Sequence, residues 1–242
     1  MDDMEQARLV RWALAMAIDR DLAVETVYAN LALPYYVGMF HPTDPNWQDK
    51  WEVPYDPVKA EEFLDRAGYP RGAGGVRFEM PIYSFTNNPE WGEAADVVAG
   101  FWDRVGVKTS ILKVNYSIVR PNLVSRSITI PGTQSCRSDI WLPWDWPRGE
   151  EETSLTRGGF GCYVESPFVL DIFRRVSVEP DLQKRIELNN QLADYLYHQM
   201  LKAGFVIIPS RQVYNPNSIA EWNMRRSPQN EYNSFELLVP AR

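Results

Sequence analysis

The sequence predicts an α/β fold in which a mixed, mostly parallel sheet is flanked by helices. Three observations carry this prediction. Residues 76–114 read as strand, helix, strand, with Gly106 stopping the helix before the second strand. Such a crossover is right-handed and places both strands in one largely parallel sheet. Amphipathic helical patterns stand on either side of this unit, at 7–18 and 180–200. The chain has 242 residues, of which 45% are apolar, enough to bury a substantial core as one large domain or two small ones.

Taken in order, Leu9, Trp12, Ala13, Met16 and Ala17 recur at helical spacing between Ala7 and Ile18. After Asp19, Arg20 and Asp21, the residues Leu22, Ala23, Val27 and Leu31 suggest a second short helix ending before Pro34. Residues 34–54 are rich in Pro, Trp, Tyr, His and Asp without a period, and read as a long ordered loop of the kind that carries function. Asp56 and Pro57 form a cap and first-turn pair for a third helix, whose stripe Ala60, Phe63, Leu64 and Ala67 runs to Gly68. Alternating Val76, Phe78, Met80 and Ile82 make a strand, and Gly72, Gly74 and Gly75 before it make a turn and not a phosphate cradle.

Residues 91–105 form a helix with Ala94, Val97, Val98, Phe101 and Trp102 inward, and 107–114 the strand that follows. A short helix is expected at 117–125, a short strand at 139–142, and an irregular loop at 143–161. Ser166 and Pro167 start a further helix through Val176. Pro180 opens a long one with Leu182, Ile186, Leu192, Leu196 and Met200 on its apolar face, and a strand follows at 205–208.

Composition narrows the function. A net charge of −7 disfavours a sequence-independent grip on nucleic-acid phosphates. No apolar run approaches the roughly 20 residues that cross a bilayer. The first residues, Met1 to Gln6, are acidic and lack a signal-peptide pattern, so either a leader has been removed or this is not a natural beginning. Cys136 and Cys162 have no metal-site spacing; they read equally as a disulfide in an exported chain or as two buried thiols. No metal or cofactor is expected.

The order of elements, with the words at their junctions, resembles the family 5 extracellular solute-binding proteins of ABC transporters, the group of dipeptide, oligopeptide and nickel-binding proteins. Four stretches carry the resemblance: Val10 to Arg20 with Pro34 downstream; Tyr55-Asp56-Pro57 through Ala60 to Ala67-Gly68-Tyr69-Pro70; Trp102 to Val107 leading into a strand; and Tyr163 with Ser166-Pro167 and Asp171. It implies the C-terminal lobe of a bilobal, type II periplasmic-binding-protein-like receptor that captures peptides or similar small solutes without chemistry and passes them to a membrane permease. Family members run to about twice this length, so residues 1–210 are expected to be one lobe. Residues 211–242 are then a tail returning toward the lobe that has no counterpart here. The resemblance also implies a periplasmic or extracellular location.

The family places an acidic residue in a tryptophan- and glycine-containing loop to receive a cationic ligand group, and the matching region here is 141–152. Asp145, between Trp144 and Trp146 and close to Trp141, is the positional candidate, although the family's Gly-Trp-x-x-Asp order is absent and Glu150 to Glu152 follow. A carboxylate between indoles can hold a cation by charge and π-face together; the alternative is a solvated turn with inward tryptophans. A second candidate is the aromatic loop of Tyr35, Tyr36, Phe40, His41, Trp47 and Trp51, as a stacking surface or as packing. Trp91, where the family's ligand-side helix begins, is a third.

An enzymatic alternative is a promiscuous hydrolase of activated esters or phosphoesters, with His41 and Asp145 as its reactive groups. His198, in the long helix, reads as structural, and no serine-triad order or nucleophile elbow is visible. A lobe lacking its partner is expected to expose an apolar face and to associate with a second copy as a homo-oligomer.

Overall fold

In the computed structural model the described residues are 1–37, 40, 42–86, 89–118, 121, 133–134, 166–201, 203–208, 214–222 and 238–241. Helix α1 (Asp3–Met16) begins four residues before the expected start because Asp2 accepts a hydrogen bond from the Glu5 amide at 2.8 Å, with Asp3 and Glu5 in the first turn. Its buried face holds Leu9, Trp12, Ala13 and Met16. Helix α2 (Arg20–Thr26) is capped by Asp19, which accepts from the Leu22 amide at 2.9 Å. It is shorter than its apolar spacing suggests. The chain turns through the left-handed region at Ala29 and Asn30, and of the four expected helix positions only Ala23 is buried, while Leu22, Val27 and Leu31 are exposed.

Strand β1 (Leu33–Pro34) pairs antiparallel with residues 206–207, so the long loop is anchored at its start. Helix α3 (Pro57–Arg66) has the expected cap, Asp56 accepting from the Lys59 amide at 2.9 Å. Ala60, Leu64 and Ala67 are buried, and Gly68 ends the helix at φ +87.

The strand, helix, strand unit is present. Strand β2 (Phe78–Phe85) and strand β3 (Val107–Val114) run parallel in register from Phe78↔Val107 to Phe85↔Val114, joined by α4 (Pro89–Arg104). Gly106 turns between α4 and β3 at φ +85, and a Cβ there would come within 2.7 Å of the Gly75 carbonyl oxygen, so only glycine fits. Strand β4 (Thr133–Gln134) pairs parallel with β2 on its other edge, giving the order β3-β2-β4. Of the expected helix at 117–125, residues 117, 118 and 121 are helical. The expected strand at 139–142, the loop at 143–161 and both cysteines lie outside the described residues.

Helix α5 (Pro167–Val178) starts at Ser166, and α6 (Leu182–Gln199) starts at Asp181, which accepts from the Lys184 amide at 2.9 Å. The apolar face of α6 differs from expectation: Leu182 in its first turn is 52% exposed, and the buried positions are Leu188, Asn189, Leu192, Ala193 and Leu196. Met200, in the left-handed conformation, ends the helix and is itself buried. Strand β5 (Val206–Ile207) is the partner of β1, and β6 (Ile219–Trp222) pairs antiparallel with β7 (Leu238–Pro240).

Two hydrophobic clusters organise the interior. One gathers α1, α3, α4, β2 and β3 around Trp12, Met16, Leu64, Ile82, Phe101 and Trp102. The other gathers α5, α6 and the long loop around Phe40, Trp51, Ile172, Leu192 and Leu196. Helix α1 meets the end of α6 through polar as well as apolar contacts. Trp12 Nε1 donates to the His198 carbonyl at 2.9 Å and Arg11 Nε to the Gln199 carbonyl at 3.0 Å. These are last-turn carbonyls that the helix itself cannot satisfy.

Candidate functional site

The chain goes from β2 through α4 to β3 on one edge and later places β4 on the other edge of β2. The carboxyl end of β2 is therefore a topological switch point, and in open parallel sheets the crevice outside such strand ends is where ligands bind. At this end Ser84 is 1% exposed. It faces the first turn of α4, where a Cβ added to Gly92 would lie 3.9 Å from Ser84 Oγ. The Thr86 amide donates to the Val114 carbonyl at 2.9 Å, which closes the β2 and β3 ends against each other. Lys113, paired with Ser84 in the strand register, reaches outward to Asp96 at 3.4 Å. The site thus combines a buried hydroxyl, the amide end of a 16-residue helix and an exposed ion pair on its flank.

Of the residues expected to bind ligand, Trp91 falls by its backbone in the first turn of α4, at this same end. Trp141, Trp144, Asp145 and Trp146 lie outside the described residues, in the stretch that follows β4. His41 lies outside them too. The alternation Phe78, Met80, Ile82 continues to Ser84, a polar residue in an inward-facing position. That break in an apolar series is the sequence signal for Ser84.

The aromatic loop is drawn inward. Tyr35 is 2% exposed, and Phe40 and Trp51 are fully buried in the second cluster. Trp51 Nε1 donates to Asp194 Oδ1 at 2.7 Å, and Lys50, over the Trp51 ring at 5.3 Å, pairs with the same carboxylate. Tyr36 and Trp47 are half-buried and stacked, with centroids 6.1 Å apart. The Arg20 guanidinium carbon stands 5.5 Å from the Tyr36 ring centroid. Burial pushes the Tyr36 phenol up from its usual range, with Glu52 and Asp21 adding to the rise. Most of this loop's ring surface is therefore spent on packing, and Tyr36 with Trp47 keeps the partial access. Among the described residues no group of three His, Cys, Asp or Glu side chains could hold a metal ion.

A small parallel sheet carrying its helices, open at a switch point, defines the class: the fold is that of type II periplasmic binding proteins. NikA from Brucella suis, solved with Fe(III)-EDTA, matches with a TM-score of 0.71 at 15% identity, over 96% of this chain and 48% of its own. DppA from Helicobacter pylori, in complex with the peptide STSA, matches with a TM-score of 0.61 at 19% identity, over 85% of this chain and 39% of its own. Residues 3–164 match the middle region of the bacterial extracellular solute-binding proteins, family 5, and this chain belongs to that family. The dipeptide-binding protein of Pseudomonas aeruginosa is 29% identical over 224 residues, which is 90% of this chain and 40% of that protein. Heme-binding protein A of Haemophilus influenzae is 29% identical over 124 residues, 50% of this chain and 22% of the relative. The chain spans less than half the length of each of these proteins.

Proposed function

We propose that this chain is the ligand-capturing lobe of an ABC-transporter solute-binding protein, and that it takes peptides or similar small solutes by non-covalent contact. The observation that carries the reading is the switch point at the carboxyl end of β2, with buried Ser84 and the first turn of α4 beside it, in a chain of this family. We assign the remaining ligand contacts to Trp91, Trp141, Trp144, Asp145 and Trp146, with Asp145 as the group that receives a cation such as a peptide amine. A dipeptide-binding protein and a structure holding a tetrapeptide are among the similar proteins, which favours peptides as the first class to try. Residues 1–210 make the lobe and 211–242 the segment that leaves it toward a second lobe, the pair acting outside the cytoplasmic membrane with a permease as partner.

Titration calorimetry with a panel of di- to tetrapeptides tests this, on the chain alone and joined to a first lobe from a family member. Saturable peptide binding by the joined form, lost in Asp145→Ala and weakened in Ser84→Val, is the expected result. Binding that ignores both substitutions refutes the site, and no binding of any peptide refutes the ligand class.

Expected association with a second copy has its support in exposed apolar side chains, Leu22, Val27, Leu31, Leu33 and Ile208, near the β1–β5 ribbon. Light scattering at micromolar concentration checks it, and a monomer contradicts it.

A further inference from the structure

Arg20 is 3% exposed, and the partners of its guanidinium are backbone carbonyls. Nε donates to Tyr35 at 2.9 Å and to Gly204 at 3.1 Å, Nη2 to Gly204 at 2.7 Å, and Nη1 to Ala15 at 3.1 Å and Ile18 at 3.3 Å. Among the described residues it forms no ion pair; the Tyr36 ring, these dipoles and, through space, the neighbouring Asp21 carboxylate answer its charge. One side chain therefore joins three stretches: the end of α1, residues 33–37 and residues 203–207.

The ribbon it holds is weak by itself. It has two regular pairs, Leu33↔Ile207 and Pro34↔Val206, and a single bridge Val37↔Ala203, and it is not part of the β3-β2-β4 sheet. Pro34 brings no amide donor. Its closure is nevertheless tight: the Gly204 amide donates to the Tyr36 carbonyl at 2.8 Å, and a Cβ at Gly204 would stand 2.7 Å from Tyr35 carbonyl and ring atoms. A short ladder held by a buried cation that has no ion-pair contact has an opening that restores water to that cation, which lowers the cost of opening relative to an apolar clasp.

We propose that residues 33–37 and 203–207 form a latch that Arg20 holds shut, and that this latch opens as a unit while the β3-β2-β4 sheet stays folded. The chain leaving α6 passes through β5 before its C-terminal segment, so the latch fixes the point from which that segment departs. Local opening would redirect that segment without disturbing the carboxyl end of β2. The proposal stands on the Arg20 geometry and is independent of which ligand binds.

Native-state hydrogen exchange on the whole chain, followed residue by residue over low urea concentrations, tests it. The Tyr35 and Gly204 amides report the ribbon, and the Arg77 and Thr86 amides, bonded to the Gly106 and Val114 carbonyls, report the sheet. In the wild-type chain the ribbon amides should exchange through one shared opening with a shallow urea dependence, and the sheet amides through a steeper one. Arg20→Lys, which keeps the charge but loses the fork, should speed the ribbon amides about tenfold or more and the sheet amides less than about twofold. A common rate and urea dependence for both sets in the wild type overturns the proposal, as does an equal acceleration of both sets in Arg20→Lys. If Arg20→Lys does not fold, the wild-type comparison alone decides.

Discussion

Glu61 on α3 lies between two arginines and is the carboxylate whose loss has the most direct pH signature. Arg71 donates to it through Nε and Nη2, each at 2.9 Å, and Arg77 through Nη2 at 2.8 Å. The Arg77 side chain is only 2% exposed, and it also reaches Asp65 and the Tyr69 and Val105 carbonyls. Arg71 in turn holds the Gly75 and Arg104 carbonyls. Glu61 thus neutralises the cations that fasten the end of α4 and the start of β2 to α3. The hydrogen bonds from Arg71, helped by Arg77, lower its pKa from 4.5 to about 2. Taken at face value that depression is worth about 3 kcal/mol, but the side chain is 36% exposed, and solvent screening brings it to about 1 kcal/mol. Because the folded value is the lower one, the contribution is complete above the unfolded carboxylate pKa of about 4.5 and is lost as pH falls toward 2. Glu61→Gln should therefore cost about 1 kcal/mol at pH 7, and the gap to the wild type should shrink by roughly half by pH 3. Urea unfolding of both proteins at pH 7, 4.5 and 3 measures it. A gap that stays constant from pH 7 to pH 3 refutes the assignment of this pair network as the source.

Other substitutions test individual supports. Leu64→Ala removes a fully buried side chain between α1 and α3 and should cost about 3 kcal/mol in urea unfolding, with a thermal midpoint lower by several degrees. Gly106→Ala meets both a φ of +85 and the Gly75 carbonyl oxygen, and should lose about 2 kcal/mol or more by the same measurement. Trp12→Phe keeps most of the ring contact with Tyr197 but orphans the His198 carbonyl; a cost of about 1 kcal/mol, accompanied by faster exchange in the last turn of α6, is expected.

The parts of the fold that were legible in the sequence are those set by local chemistry. The Asp56-Pro57 cap, the stop at Gly106 and the alternation Phe78, Met80, Ile82 depend on neighbours a few residues away, so α3 and β3 stand where expected, while β2 begins at Phe78, two residues after Val76, and runs on to Phe85. Helix α2 is shorter than its sequence suggests because Val27 and Leu31 fit a helical stripe, while the left-handed turn at Ala29 and Asn30 has no glycine to announce it. Leu182 fits the apolar stripe of α6 by spacing yet stays exposed, because only the packing of α5 and the long loop decides which stripe is covered. The site was less legible. Aromatic residues in a long loop suggest a stacking surface, yet Phe40 and Trp51 turn out to complete a core that lies far along the chain, against α5 and α6. Ser84 shows in the sequence as a polar break in the Phe78, Met80, Ile82 series, but its place at a switch point depends on the third strand, which makes β2 the central one.

The proposed ligand end is built from three strands and one crossover helix. Two strands and a crossover helix make a sheet edge; β4, on the opposite side of β2, makes the same strand end a topological switch point. At the opposite end of the sheet, where α4 leads into β3, the first cluster holds the unit through Trp102, whose indole nitrogen donates to the Leu14 carbonyl of α1 at 2.9 Å, and through Phe101 beside it. The second cluster instead packs the long loop on α5 and α6, and meets the first through half-buried Tyr36 and Tyr197. The switch point therefore belongs to the rigid sheet cluster, and the Arg20 ribbon to the junction between clusters. A substitution in α4 or β2 should act on ligand affinity together with stability. One at the ribbon should act on local opening with the strand end intact, and a double substitution combining Ser84→Val with Arg20→Lys should give additive effects on the two readouts.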